Sequence, residues 1–151
     1  MIVKEFMNTN VVSIDSDASV KDAAGKMAQH DVGSLIATER GKPAGIVTER
    51  DLLSRVVAAG KDTKTTHVKD IMSKPLICGT PAMDVVEATR FMIDKGIKKL
   101  PIAEDGKLVG IVTLTDTCSA QPDMYDLLVK ESEGKLPKRF MKRLAKRYYR
   151  T

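Results

Sequence analysis

Apolar residues along the chain follow two alternating periods, and the switches between them mark the elements. Val11 to Ile14 is a short apolar run closed by the turn-prone Asp15-Ser16-Asp17, which predicts a buried strand. Ser19 then stands as an N-cap with Asp22 three residues on. Val20, Ala23, Ala24, Met27 and Ala28 recur at helical spacing, which predicts one buried helical face. Two strands follow, near Ser34–Thr38 and Ala44–Thr48, joined by the turn Glu39-Arg40-Gly41-Lys42. A second helix begins after Thr48 and is expected to carry Leu52, Leu53, Val56 and Val57 inward.

The whole order then recurs. One ungapped register carries Val3-Lys4-Glu5-Phe6-Met7 onto Val68-Lys69-Asp70-Ile71-Met72, and Gly45-Ile46-Val47-Thr48 onto Gly110-Ile111-Val112-Thr113. It also pairs Met27 with Met92, Gly41-Lys42 with Gly106-Lys107, and Asp51 with Asp116. In the second copy the first helix starts at Asp84 with Glu87 three on, and buries Val85, Ala88, Met92 and Ile93. Each copy reads β-α-β-β-α, so the fold class is α/β (α+β). The expected division is a first unit over 1–60, a polar linker over 61–67, a second unit over 68–121 and a helical, basic extension over 122–151. One such unit is too small to bury a full core, so the two are expected to pack sheet to sheet.

Composition narrows the function classes. Hydrophobic residues make up 42% of the 151, while aromatics are only 4% and Trp is absent, so the core must be aliphatic. No apolar run approaches the ~20 residues that span a bilayer. Met1 to Met7 lacks the features of a secretory signal, and Cys78 and Cys118 are isolated. The expectation is a cytoplasmic protein without a disulfide framework. The net charge of +5 comes from the tail: Lys135, Lys138, Arg139, Lys142, Arg143, Lys146, Arg147 and Arg150 stand there without one acid, and the remainder carries a small acidic excess. Phe140, Met141, Leu144 and Tyr148 give that tail an apolar stripe, and Pro122 to Lys130 predicts another helix with Met124, Leu127 and Leu128 inward. Two readings of residues 135–151 stay open. The tail docks on the body or a second subunit with its cations in water, or it contacts nucleic acid or an anionic membrane.

The closing motifs Gly45-Ile-Val-Thr-Glu-Arg-Asp51 and Gly110-Ile-Val-Thr-Leu-Thr-Asp116 resemble those of cystathionine-β-synthase (CBS) domains. The Val-Lys-Asp-Ile-Met opening and the Lys98-Lys99-Leu100-Pro101-Ile102 strand are similar to that family too. The resemblance covers residues 1 to about 120 and leaves the tail out. It implies a pseudo-twofold pair of domains, often doubled into a homodimer, that binds AMP, ADP, ATP or S-adenosylmethionine-type ligands in clefts between the sheets. The expected role is an adenosine-ligand sensor that reports to an unidentified protein partner.

On that resemblance, Thr48 and Thr113 contact phosphate or ribose, and Asp51 and Asp116 contact ribose, whose vicinal hydroxyls match a carboxylate's two acceptor oxygens. Lys98 and Lys99 stand where the family places phosphate-binding cations, and their counterparts Gly33 and Ser34 carry no charge. Arg50 lies inside the first motif where the second has Thr115. Adenine is expected against Asp15 and Thr80 at strand ends, Val32 and Ile97, and Ile46 and Ile111. Read without the family, Thr-x-x-Asp is equally a helix-capping box, Lys98, Lys99 and Arg50 are ordinary solvated charges, and the apolar positions are plain core. His30 and His67 are single, Cys118 is a small core residue, and no catalytic triad, metal cluster or Gly-rich phosphate loop is legible. The sequence therefore argues against an enzyme.

Overall fold

The structure is a computed structural model that describes residues 1–148. Arg150, the last cation of the tail, lies outside the described residues. The chain forms two compact units, Asn10–Ile77 and a second built from Met1–Thr9 together with Cys78–Thr151. These units differ from the repeats legible in the sequence, because the repeats exchange their opening segments. The 3-10 turn Val3–Glu5 belongs with the second repeat: Val3 N–H donates to the Met83 carbonyl at 2.8 Å, and Asn8 and Ile111 exchange two backbone bonds of 2.9 Å. Likewise Ile46 and Ser73 exchange bonds of 3.0 and 2.9 Å in the other unit. Each opening segment thus satisfies a strand edge that its own repeat does not supply. The polar linker over 61–67 also supports the first repeat. Thr66 and Thr63 accept the N–H groups of Val20 and Lys21, two orphan donors of a helix start.

The unit Asn10–Ile77 contains β1 (Ser13–Asp15), α1 (Val20–His30), β2 (Ser34–Glu39), β3 (Lys42–Thr48), α2 (Glu49–Leu52), a π-helical turn Leu53–Val57, and α3 (Val68–Ile71). Its sheet runs β1-β2-β3, with β1 parallel and β3 antiparallel to β2. Ser19 caps α1 as the sequence predicts, accepting the Asp22 N–H at 3.1 Å. The β2–β3 turn puts Arg40 and Gly41 at positive φ, 51° and 76°, the conformation that matches a two-residue hairpin. Leu35, Ala37 and Val47 on one sheet face join Val20, Ala23 and Met27 of α1, Val56 and Ile71 in the core.

Three expectations need correction here. The first strand begins at Ser13, not Val11. Ala24 and Ala28 are exposed, so the buried face of α1 is only Val20, Ala23 and Met27. Leu53 and Val57 also point outward, at 60% and 66% exposure, while Val56 is buried. Only Leu52 and Val56 meet the core on this turn, and Leu53 and Val57 lie on its open side.

The other unit repeats the plan with α4 (Val85–Lys95), β4 (Lys99–Glu104), β5 (Lys107–Thr113) and α5 (Leu114–Ala120), followed by α6 (Asp123–Glu131) and α7 (Lys138–Tyr148). Its first strand is reduced to a parallel bridge from Gly79 to Ile102, at the register where Ile14 pairs with Ala37. The mixed α/β class and the helical extension are as expected. Here α6 packs on α4 and α5 through Met124, Tyr125 and Leu128. Thr89, Ile93 and Cys118 beneath it are fully buried, whereas their counterparts Ala24, Ala28 and Leu53 lie open. Among the described residues no helix is long and apolar enough to cross a membrane.

Candidate functional site

The two Thr-x-x-Asp motifs sit at the strand-to-helix junctions after β3 and β5, and both close into the same reciprocal box. Asp51 Oδ2 accepts the Thr48 N–H at 2.8 Å while Thr48 Oγ1 accepts the Asp51 N–H at 3.2 Å. The corresponding distances for Asp116 and Thr113 are 2.9 and 3.0 Å. The capping reading of these residues is therefore real chemistry in this fold. It does not exhaust them. Each box uses one carboxylate oxygen, and each threonine hydroxyl accepts but keeps its own hydrogen to donate. The copies differ in the second oxygen, since Asp51 Oδ1 lies 3.9 Å from Nε of Arg55, where the second repeat has Ala120.

Strand register decides what stands beside each box. Ser34 lies directly opposite Thr48, and Ile36 opposite Ile46, so Ser34, Ile46 and Thr48 share one sheet face. Lys99 lies opposite Thr113 in the same way, with Pro101 opposite Ile111. That face is the one turned away from Leu35 and Val47, and its residues are half-buried at Ser34, Ile46, Thr48, Lys99, Ile111 and Thr113.

The sequence treated Lys98 and Lys99 as a pair, but the fold separates them. Lys98 precedes β4, its carbonyl accepts the Leu114 N–H at 3.0 Å, and its Nζ lies 5.3 Å from the Phe140 ring centroid of α7. Thr115 also turns toward α7, lining a recess of about 260 Å³ with Phe140, Arg143, Leu144 and Arg147, and its carbonyl accepts the Tyr148 hydroxyl at 3.3 Å. Its counterpart Arg50 is exposed. This cationic surround of Thr115 is invisible in the sequence, because it depends on α7 folding back.

The adenine candidates fall elsewhere. Asp15 pairs with Thr38 at the far end of β2 from Ser34, roughly 13 Å along the strand at 3.3 Å per residue. There it accepts the Asp17 N–H at 2.8 Å. It lines a shallow depression with Asp17, Glu39, Arg40 and Lys69. The Lys69 ammonium, 2.9 Å from Asp17, holds that carboxyl below the usual carboxylate range and is itself raised above the usual lysine range. Thr80 is exposed beside the equivalent Gly79 bridge. Val32 packs against the helix-side core and lines a groove of about 370 Å³ with Ala24, Met27, Ala28 and Leu52. Ile97 is half-buried just past the α4 cap, its N–H donating to Met92 at 3.0 Å. Within either unit, then, the Thr-Asp box, Ser34 or Lys99, and Ile46 or Ile111 come together, and Asp15 and Thr80 lie at the other end of the strands. Val32 and Ile97 precede β2 and β4 on the helix side, Val32 lining its groove with Gly33 and Glu49.

Residues 3–58 and 68–123 each match the CBS domain. The chain belongs to the CBS domain family. An uncharacterized protein of Methanopyrus kandleri is 40% identical to this CBS protein over 131 residues, 85% of this chain and 67% of that one. The CBS domain-containing protein YhcV of Bacillus subtilis is 38% identical over 114 residues, 76% of this chain and 81% of that one. A hexameric CBS-CP12 protein from bloom-forming cyanobacteria shares the fold at a TM-score of 0.73 with 28% identity, over 89% of this chain and 85% of that one. CBS domain pairs are in general regulatory and bind adenosine ligands.

Proposed function

We propose that this CBS protein is a non-catalytic sensor of an adenosine ligand, an adenine nucleotide or an S-adenosylmethionine-type derivative. The observation that carries the reading is the duplicated row in which a Thr-Asp box stands beside a polar strand residue and an isoleucine on the same sheet face. Thr48, Asp51, Ser34 and Ile46 form one row; Thr113, Asp116, Lys99 and Ile111 form the other. In each, the carboxylate oxygen outside the box accepts from ribose, the threonine hydroxyl donates to phosphate or ribose, and the isoleucine packs on the base; in the first row that oxygen also faces Arg55. Lys99 gives the second row a cation that Ser34 does not, so the second row prefers ligands with more phosphates. A thermal-shift panel of AMP, ADP, ATP, S-adenosylmethionine and methylthioadenosine tests this, because a ligand that binds the native state raises the melting point by mass action. A panel without any shift at millimolar ligand would refute it.

The same proposal includes self-association through the open helical face of Asn10–Ile77. Lys21, Ala24 and Ala28 fall on one side of α1 and Asp31 caps its C-terminal end, so a cation stands at one end, an acid at the other and two small residues between. An antiparallel contact with a second copy sets each Lys21 against the other copy's Asp31 and lets the backbones approach at the alanines, while Leu53 and Val57 leave water. The hexameric state of the cyanobacterial CBS-CP12 relative supports association as a habit of such proteins. Sedimentation at micromolar protein should report a dimer; a monomer with and without nucleotide removes this part.

A further inference from the structure

Helix α7 has two faces with separate roles. Phe140 and Leu144 are buried at 8% and 3% exposure, Tyr148 packs at 5.8 Å on Tyr125, and the Tyr148 hydroxyl lies 2.8 Å from Ser119 Oγ. The apolar side is thus spent on the helix's own unit. Lys138, Arg139, Lys142, Arg143, Lys146 and Arg147 fill the opposite half-circle, and all six are exposed. Among the described residues no carboxylate pairs with them. Two of them stand in the first turn, where the helix dipole disfavours positive charge. Cations three and four residues apart on one face also repel one another. Only Lys146 and Arg147, in the last turn, are favoured by the helix dipole; a helix serving only as a lid over its unit gains nothing from the cations at Lys138, Arg139, Lys142 and Arg143.

We infer that the outer face of α7 is a docking surface for a nucleic-acid duplex, held through its phosphates without base reading. From Lys138 to Arg147 the helix rises roughly 14 Å, alongside about eight phosphates of duplex at one per 1.7 Å of axis, enough to occupy six cations. Membrane insertion fits less well, because an interfacial helix must bury its apolar side in lipid and that side of α7 is already packed. Single strands fit less well too, since among the described residues the exposed half presents no aromatic ring for a base to stack on. Arg143 and Arg147, on the rim of the recess at Thr115, place the phosphates next to the second Thr-Asp motif.

The test titrates the full chain against a short fluorescent duplex of unrelated sequence, its separated single strand, and phosphatidylserine vesicles, across a range of salt. Binding to the duplex should fall on the order of a thousandfold between about 50 and 200 mM salt for some six phosphate contacts. For the Lys142→Gln, Arg143→Gln, Lys146→Gln variant the fall should shrink to about 40-fold. The salt slope of the unaltered protein tests the inference independently of any variant. Preference for vesicles or for the single strand, a slope near zero, or a triple variant that binds as well as the parent would each overturn it.

Discussion

Asp116 separates the two roles that a Thr-Asp box can play. Replacing it with Ala removes the acceptor that holds the Thr113 N–H at 2.9 Å, while Thr113 Oγ1 still accepts the N–H of residue 116. Half of the box is lost, which costs about 1 kcal/mol and lowers the melting temperature by about 2–4 °C for a chain of this size. If the remaining carboxylate oxygen also binds ribose, affinity falls by a further factor on the order of 10 to 150, the range of a lost charge-assisted hydrogen bond. Asp116→Asn divides the effects differently. Its amide oxygen can still cap, so stability should stay near the parent's, while loss of the charge should weaken the ligand several-fold. Calorimetry with AMP and ATP, beside thermal melts of the ligand-free proteins, reads both quantities. If Asp116→Ala and Asp51→Ala each melt lower yet bind with unchanged affinity, the boxes are caps and the ribose assignment is wrong.

Other predictions follow from single contacts. Gly45→Ala and Gly110→Ala should each destabilise by about 1–3 kcal/mol in urea unfolding. An added Cβ at Gly45 would lie 2.7 Å from the Ser73 carbonyl oxygen, and one at Gly110 would lie 2.6 Å from the Met7 sulfur and 3.2 Å from the Asn8 oxygen. Lys99→Ala should weaken ATP more than AMP in calorimetric titrations, whereas Lys98→Ala, which loses its contact with Phe140, should leave both unchanged. Burial pushes the Cys118 thiol up to about 11. The native state therefore keeps that proton to higher pH than the unfolded chain, and this contribution, complete below the ordinary thiol range, is lost as pH rises through that range toward 11. Thiol reagents at neutral pH should label exposed Cys78 and spare Cys118 until the protein unfolds.

Periodicity and the internal repeat carried most of the local structure. Ser19 as a cap, the Arg40-Gly41 hairpin and the α4 core of Val85, Ala88, Met92 and Ile93 are short-range features, and the residues that make them are adjacent in sequence. What was not legible depends on contacts distant in sequence. The exchange of the opening segments cannot be read from Val3-Lys4-Glu5-Phe6-Met7, because the same pentapeptide could pair with either repeat. Ala24 and Ala28 fit a buried stripe as well as Ala23 does, and only the absence of a covering helix leaves them outside. Lys98 and Lys99 look equivalent until α7 folds back and places Phe140 beside one of them. The Thr-Asp spacing was ambiguous between cap and ligand site for a physical reason: a carboxylate with two oxygens can serve both.

The two repeats answer one packing problem differently, and exchanging their answers tests the proposed association. At the positions of Ala24 and Ala28 the second repeat has Thr89 and Ile93, buried under α6. Ile93 has a neighbour of its own chain to fill against, while Ala28 has none and stays small. Ile93→Ala should therefore leave a cavity under α6 and cost about 2–5 kcal/mol without altering association. Ala28→Ile is the reciprocal change. Residue 28 is exposed within the chain, so the fold should tolerate the larger side chain within about 0.5 kcal/mol. A copy-to-copy contact that relies on close approach at Ala24 and Ala28 should not tolerate it, and sedimentation should show the dimer shifted to monomer. If Ala28→Ile remains dimeric at the parent's affinity, the copies meet elsewhere, and the open face of the first repeat is not where this CBS protein associates.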